Sequence, residues 1–142
     1  MRTVIHGVSL VWVLLAVGCD GPADGGPPGT FTEIYDTFFP STTAARCDFC
    51  HSMPASDISN GNLSTGMDQD SAYAALVGPT STSSRCAGKP LVVPGHPEQS
   101  LLLDKLADKP TCGDRMPLGG AAFTADEIEL VRSWIAAGAK ND

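Results

Sequence analysis

Apolar side chains recur at helical spacing in four stretches of this chain, and each stretch is bounded by residues that start or stop helices. The apolar face of the first stretch consists of Phe31, Ile34, Tyr35 and Phe38. Thr30 and Glu33 have the spacing of a capping box at its start, and Pro40 follows its end. We therefore predict a short amphipathic helix that begins at Phe31 and ends before Pro40, with its aromatic side chains in the core.

The second and third predicted helices are also short. Residues 70–77 place Tyr73, Leu76 and Val77 inward, and a Gly-Pro pair follows directly. Pro97 suits the first position of the third helix, which Pro110 closes. The broad apolar face of this third helix consists of Leu101, Leu102, Leu103 and Leu106.

The fourth helix has the clearest pattern. Thr124 and Glu127 form a second capping-box pair, and Gly138 is a plausible C-cap. The apolar stripe of this helix consists of Ile128, Val131 and Ile135, with Trp134 beside it. No stretch of useful length has the period of a strand, and no internal repeat is present. The pattern therefore predicts one small all-α domain.

The N-terminal segment has the pattern of an export signal. Arg2 precedes an apolar run over residues 8–17, which is too short to span a bilayer. The following Gly18-Cys19 resembles the end of a bacterial lipoprotein signal, in which the cysteine becomes the lipidated first residue. Ala16 stands where leucine is commoner, so cleavage nearby by the ordinary signal peptidase is the alternative. We predict a signal over 1–18, lipidated Cys19 within a Gly/Pro-rich tether over 19–30, and a folded domain over 31–142.

The candidate chemistry lies in Cys47-Asp48-Phe49-Cys50-His51. Cys-x-x-Cys-His is the attachment signature for a c-type haem. The two thiols form thioether bonds to the porphyrin, and the histidine donates a ring nitrogen to the iron. The polar stretch over 52–69 reads as a long loop, which a haem would justify because the chain must pass around its edge.

Two other interpretations of this motif fit the sequence less well. A structural zinc site needs four ligands, and the remaining candidates, His96, Cys86 and Cys112, form no second closely spaced pair. A reducible dithiol of the thioredoxin type expects a βαβ context, which the chain does not offer. The motif therefore favours haem.

An electron-transferring haem usually has six ligands, and a Met/His pair raises its reduction potential. Met53 is too close to His51 to reach the other face of the ring, whereas Met67 in the loop remains possible. Met116 precedes Pro117, which favours an extended backbone suited to crossing the distal face. Met116 could instead fill core space, and His96 is the other candidate ligand.

These segments together resemble a small class I cytochrome c, specifically the planctomycete-type cytochrome c domain. The resemblance covers about residues 31–140 and rests on the following segments: 47–51, Tyr73 to Gly78, Val93 to Glu98, Ser100 to Leu102, Arg115 to Pro117 and Glu127 to Ala139. It implies three to five short helices around one covalent haem c, with Cys47 and Cys50 as thioether residues. It also implies His51 and Met116 as iron ligands, and crossed first and last helices with Phe31 or Tyr35 against Trp134.

Two cysteines are not required by that family. Assigning Cys19 to lipid and Cys47 and Cys50 to haem leaves Cys86 and Cys112, which we expect to form a disulfide in an oxidising compartment. Two free buried thiols are the alternative. We hypothesise that the disulfide pins the loop bearing Met116 to the Val92–Val93 side of the haem pocket and so holds the methionine on the iron.

Charge limits the choice of partners. The formal net charge of the chain is −7, and it becomes −8 without residues 1–18, which contain Arg2 and no acid. This charge disfavours nucleic acid and suits a redox partner protein with a basic docking face, although it could equally serve solubility. We expect an exported one-electron carrier, attached to a membrane through Cys19 on the periplasmic face, with no small-molecule substrate. The alternatives are a haem-based sensor or accessory redox module and, less favoured, a peroxidase that uses an open iron site.

Overall fold

A computed structural model of the chain describes residues 27–45, 47–52 and 63–142. The predicted signal over 1–18, the proposed lipidation site Cys19, most of the predicted tether and Met53 lie outside these residues. Within the described part of the chain, no helix is both long enough and apolar enough to cross a membrane.

The regular structure of the described residues is helical. Within the described ranges five α-helices follow one another, and a 3₁₀ turn over Pro97–Gln99 precedes the fourth: α1 Phe31–Phe38, α2 Cys47–His51, α3 Gln69–Leu76, α4 Leu101–Leu106 and α5 Ala125–Ala136. The β pairing in this part of the chain consists of two isolated bridges, Val77 with Val92 and Thr80 with Pro90. The predicted all-α class is therefore confirmed.

The core forms where α1, α3, α4 and α5 meet. Its centre is aromatic, because Phe31 lies with its ring centroid 5.2 Å from that of Trp134 and 5.3 Å from that of Tyr73. The resemblance implied that Phe31 or Tyr35 would face Trp134; Phe31 does so, and Tyr35 instead stacks on Phe39. The remaining buried apolar side chains of this core cluster include Ile34, Phe38, Leu76, Val92, Leu103, Leu106, Val131 and Ile135.

The two predicted capping boxes have different outcomes. At α5 both reciprocal bonds form, since the Thr124 side chain accepts from the Glu127 amide and the Glu127 carboxylate accepts from the Thr124 amide. At α1 the Thr30 hydroxyl accepts from the Glu33 amide. The reciprocal bond, from the Thr30 amide to the Glu33 carboxylate, is not among the capping contacts of α1, and the next amide, that of Phe31, donates to the side chain of Asp142, 3.0 Å away. The last described residue therefore supports the start of the first helix.

The predicted third helix is wrong in its extent. The chain forms the 3₁₀ turn after His96, and α4 then begins at Leu101. Ser100 lies between the 3₁₀ turn and α4, and its backbone is extended (φ −88°, ψ 117°). Its hydroxyl donates to the carbonyl of His96 and accepts from the amide of Val93. The amides of Leu101 and Leu102 donate to the carbonyls of Pro90 and Leu91 and not to the preceding turn, so the helix starts anew at Leu101.

Candidate haem site

The Cys-x-x-Cys-His motif forms a helix of its own, α2, which is fastened at both ends by main-chain bonds. The amide of Asp48 donates to the carbonyl of Phe39, just beyond α1, at 2.9 Å. At the other end the carbonyl of His51 accepts from both the amide (2.7 Å) and the hydroxyl (3.0 Å) of Thr65. One helical turn is thus connected to α1 on one side and to the segment before α3 on the other.

The His51 imidazole is held in one tautomer. Its Nδ1 lies 3.2 Å from the carbonyl oxygen of Leu63. A carbonyl can only accept, so the proton is on Nδ1 and the neutral ring keeps its lone pair on Nε2. Burial lowers the pKa of His51, which favours this neutral form; the Leu63 hydrogen bond and the charge of Asp48 act in the opposite direction. The ring therefore has the protonation state that a metal ligand needs.

The two motif thiols are free and lie in different surroundings. Cys47 and Cys50 are not joined to each other, and both sulfurs therefore remain available for thioether bonds. Cys50 is exposed, whereas Cys47 is half-buried and packs against the core cluster. Burial, followed by the charge of Asp48, raises the pKa of the Cys47 thiol to about 12. Within one helical turn, Cys47 therefore faces the protein interior and Cys50 lies at the surface.

Sequence reasoning missed three supporting residues: Asp48, Leu63 and Thr65. Asp48 is buried, and its carboxylate lies 3.4 Å from the Thr65 hydroxyl. Burial raises the pKa of Asp48, and the Thr65 hydrogen bond counteracts that effect. The sequence offers little signal for these residues, because Leu63 is only one of several apolar residues in that loop, with Ile58 and Met67, and Thr65 is polar like its neighbours. Their partners depend on the three-dimensional fold.

The methionine candidates separate clearly by exposure. Met67 is 78% exposed, whereas Met116 is half-buried and packs against the same core cluster as Cys47 and Leu63. The Met116 amide donates to the carbonyl of Lys105 at 2.8 Å, and the bond from Met116 to Pro117 is cis. Of the described methionines, Met116 is therefore the one that the fold holds in place.

The structure joins Cys86 to Cys112 by a disulfide with sulfurs 2.08 Å apart. Cys86 is buried at 3% exposure and lies in the turn that follows Ser81. This turn is closed by main-chain bonds from Ser81 to Lys89 and from Gly88 to Ser81. The disulfide fastens the segment leading to Met116 to that turn.

The candidates for other metal sites are not brought together. His96 lies on an exposed turn, with Nδ1 3.4 Å from a carboxylate oxygen of Glu98. Among the described residues no group of three or more His, Cys, Asp or Glu side chains is arranged to hold a metal ion. Since Cys86 and Cys112 are bonded to each other, neither is available to complete a zinc site with the motif.

The residues present fit a c-type haem. They supply two free thiols, a neutral histidine with Nε2 unprotonated, and a half-buried methionine beside the same core. Phe49 in the motif and Leu118 after the Met116–Pro117 pair are 71% and 67% exposed, and each would offer apolar surface to a neighbouring ring. No protein-family model, curated protein or solved structure matches the chain. The resemblance to class I cytochromes c therefore rests on the motifs quoted above.

Proposed function

We propose that this protein is a monohaem c-type cytochrome that carries single electrons between protein partners. The observation that carries the proposal is the hydrogen-bonded state of His51: its Nδ1 is occupied by the Leu63 carbonyl, which leaves Nε2 free beside two unpaired thiols. A histidine fixed through one ring nitrogen is the usual arrangement of a metal-ligating imidazole.

Each named residue has one task in this proposal. Haem c, when bound, supplies an iron that alternates between the ferric and ferrous states. Cys47 and Cys50 would hold the ring covalently, and His51 would supply a ring nitrogen to the iron in the tautomer that Leu63 sets. Met116 would supply its sulfur as the other iron ligand, and a Met/His pair raises the reduction potential of haem iron. No substrate bond is made or broken, so the protein is proposed to be a carrier and not an enzyme.

We also propose that the protein is located outside the cytoplasm. Haem attachment of this type takes place beyond the cytoplasmic membrane, and residues 1–18 have the composition of an export signal. We propose that Cys19 carries the lipid anchor and that the acidic domain meets a redox partner with a basic face. Replacing Cys19 with alanine should release the protein from the membrane fraction without changing its spectrum. Continued membrane association of that variant would contradict the lipid anchor.

Carbon monoxide discriminates the carrier from a ligand-binding sensor. The protein is expressed with a haem c maturation system, and spectra are recorded oxidised, reduced, and reduced with carbon monoxide. A closed carrier gives a low-spin spectrum with the weak far-red Met–Fe band in the oxidised form and no change on adding the gas. A high-spin spectrum that shifts with carbon monoxide would contradict the carrier and favour a sensor or peroxidase.

A further inference from the structure

Three polar main-chain groups in the segment Cys112–Met116, here called the methionine strap, bond to a single residue. The carbonyl of Lys105 accepts from the Met116 amide at 2.8 Å. The ammonium of Lys105 donates to the carbonyls of Cys112 at 2.7 Å and of Asp114 at 3.1 Å. Lys105 therefore contacts the strap at both ends and in the middle.

The strap depends on such bonds because it contains no helix or strand. Main-chain polar groups outside regular structure need other partners, and a charged donor gives bonds about twice as strong as a neutral one. Lys105 is half-buried at the end of α4, next to Leu106, which is part of the core. The side chain of Lys105 therefore connects the strap to the core.

The packing at Gly113 shows how closely the ammonium lies against the strap. Gly113 has φ +62°, and a Cβ atom added there would collide with Nζ of Lys105. The same Cβ position lies 3.5 Å from Sγ of Cys86. The ammonium and the disulfide therefore flank the same point of the strap, where the left-handed backbone of Gly113 also favours glycine.

We propose that Lys105 is a positioning residue for Met116, and that it restrains the methionine strap together with the Cys86–Cys112 disulfide. This inference rests on the proposed function, in which Met116 is the distal ligand. Lys105 itself does not touch the iron. In this proposal its ammonium restrains the strap, and the strap positions the Met116 sulfur at the iron.

Imidazole binding to the ferric haem protein measures this positioning, because imidazole must displace the methionine sulfur. Lys105→Met keeps the apolar stem and the carbonyl that binds Met116, and it removes only the charged donors. Lys109→Met is the matched control, since Lys109 is exposed in the adjacent loop and the charge change is the same. Met116→Ala defines the affinity when no sulfur has to be displaced.

We expect Lys105→Met to bind imidazole about tenfold more tightly than the parent, which is roughly the effect of one net charge-assisted hydrogen bond. Lys109→Met should stay within about twofold of the parent, because it leaves the strap bonds intact. Lys105→Arg, which retains a positive charge and N–H donors on a bulkier head group, should bind imidazole more weakly than Lys105→Met and provides a second measurement if Lys105→Met does not fold.

Two results would overturn the inference. The first is a folded, haem-loaded Lys105→Met variant that binds imidazole within about twofold of the parent, while Met116→Ala binds imidazole far more tightly. Met116 would then remain the proposed ligand, but Lys105 would not position it. The second is a Lys105→Arg variant whose imidazole affinity rises as much as that of Lys105→Met. A parent that binds imidazole as tightly as Met116→Ala would instead show that Met116 is not a ligand, and the proposed ligand set would fall with the inference.

Discussion

The rings of Phe31 and Trp134 lie with their centroids 5.2 Å apart at an angle of 32°, and both side chains are almost completely buried. This contact joins the first helix to the last. The Trp134 indole also donates to the carbonyl of Lys140 at 2.8 Å, which satisfies its polar atom. Phe31 and Trp134 belong to the core cluster against which Cys47 of α2 and Met116 of the methionine strap pack.

Truncation of Phe31 tests the importance of this contact. Phe31→Ala should lower the free energy of unfolding by about 3–5 kcal/mol, because it opens a cavity in the aromatic centre of the core. Phe31→Leu retains most of the apolar volume and should cost less than about 1.5 kcal/mol. Urea unfolding followed by circular dichroism measures both. A loss below about 1 kcal/mol for Phe31→Ala would contradict the central role of the contact.

Much of this helical framework can be predicted from sequence. The 3.6-residue periodicity from Phe31 to Phe38 and the capping box at Thr124 are local signals, and both correspond to the observed helices. The break at Ser100 could not be predicted in this way, because the amides of Leu101 and Leu102 donate to the carbonyls of Pro90 and Leu91, which lie in another part of the chain.

The supporting residues of the site could not be predicted in this way. The bond between His51 and Leu63 joins a motif to a polar loop whose course no periodicity describes. Lys105 has the pattern of an ordinary polar residue at the end of an amphipathic helix. Its role depends on where Cys112 and Asp114 are placed by the disulfide and by the turn at Gly113.

Exchange of the methionines tests the distal ligand. Met116→Ala should abolish the far-red Met–Fe band, lower the reduction potential and allow the reduced protein to bind carbon monoxide, because the sixth position opens. Met67→Ala is the matched control and should retain the parent spectrum, since Met67 is 78% exposed. Absorption spectra and a redox titration measure these effects. Loss of the band in Met67→Ala with retention in Met116→Ala would reverse the assignment.

Removal of the disulfide tests its proposed effect on the methionine. Cys86 and Cys112 are 26 residues apart in sequence. In the chain-entropy description, opening a loop of that size costs about 3–4 kcal/mol of stability. The Cys86→Ser/Cys112→Ser variant should therefore unfold at lower denaturant, and its Met–Fe band should weaken because one restraint on the strap is lost. An undiminished band would show that the disulfide stabilises the fold without holding the ligand.

The two motif thiols should react at different rates in protein prepared without haem. With a pKa of about 12, Cys47 carries little thiolate near neutral pH, and its thiolate fraction rises as the pH approaches that value. At pH 8 that fraction is on the order of one in ten thousand. Exposed Cys50 should therefore be alkylated by iodoacetamide at least about tenfold faster. Peptide mass spectrometry over time measures each site, and equal rates would contradict the burial of Cys47.

The central claim is that Cys47 and Cys50 attach a haem covalently, and intact-mass spectrometry under denaturing conditions tests it most directly. The parent and a Cys47→Ala/Cys50→Ala variant are each expressed with a haem c maturation system. The denatured parent should retain the added mass of one haem and have no thiol at Cys47 or Cys50 that reacts with iodoacetamide, whereas the variant should carry no haem. A parent polypeptide with no added haem mass and two reactive thiols would contradict the claim.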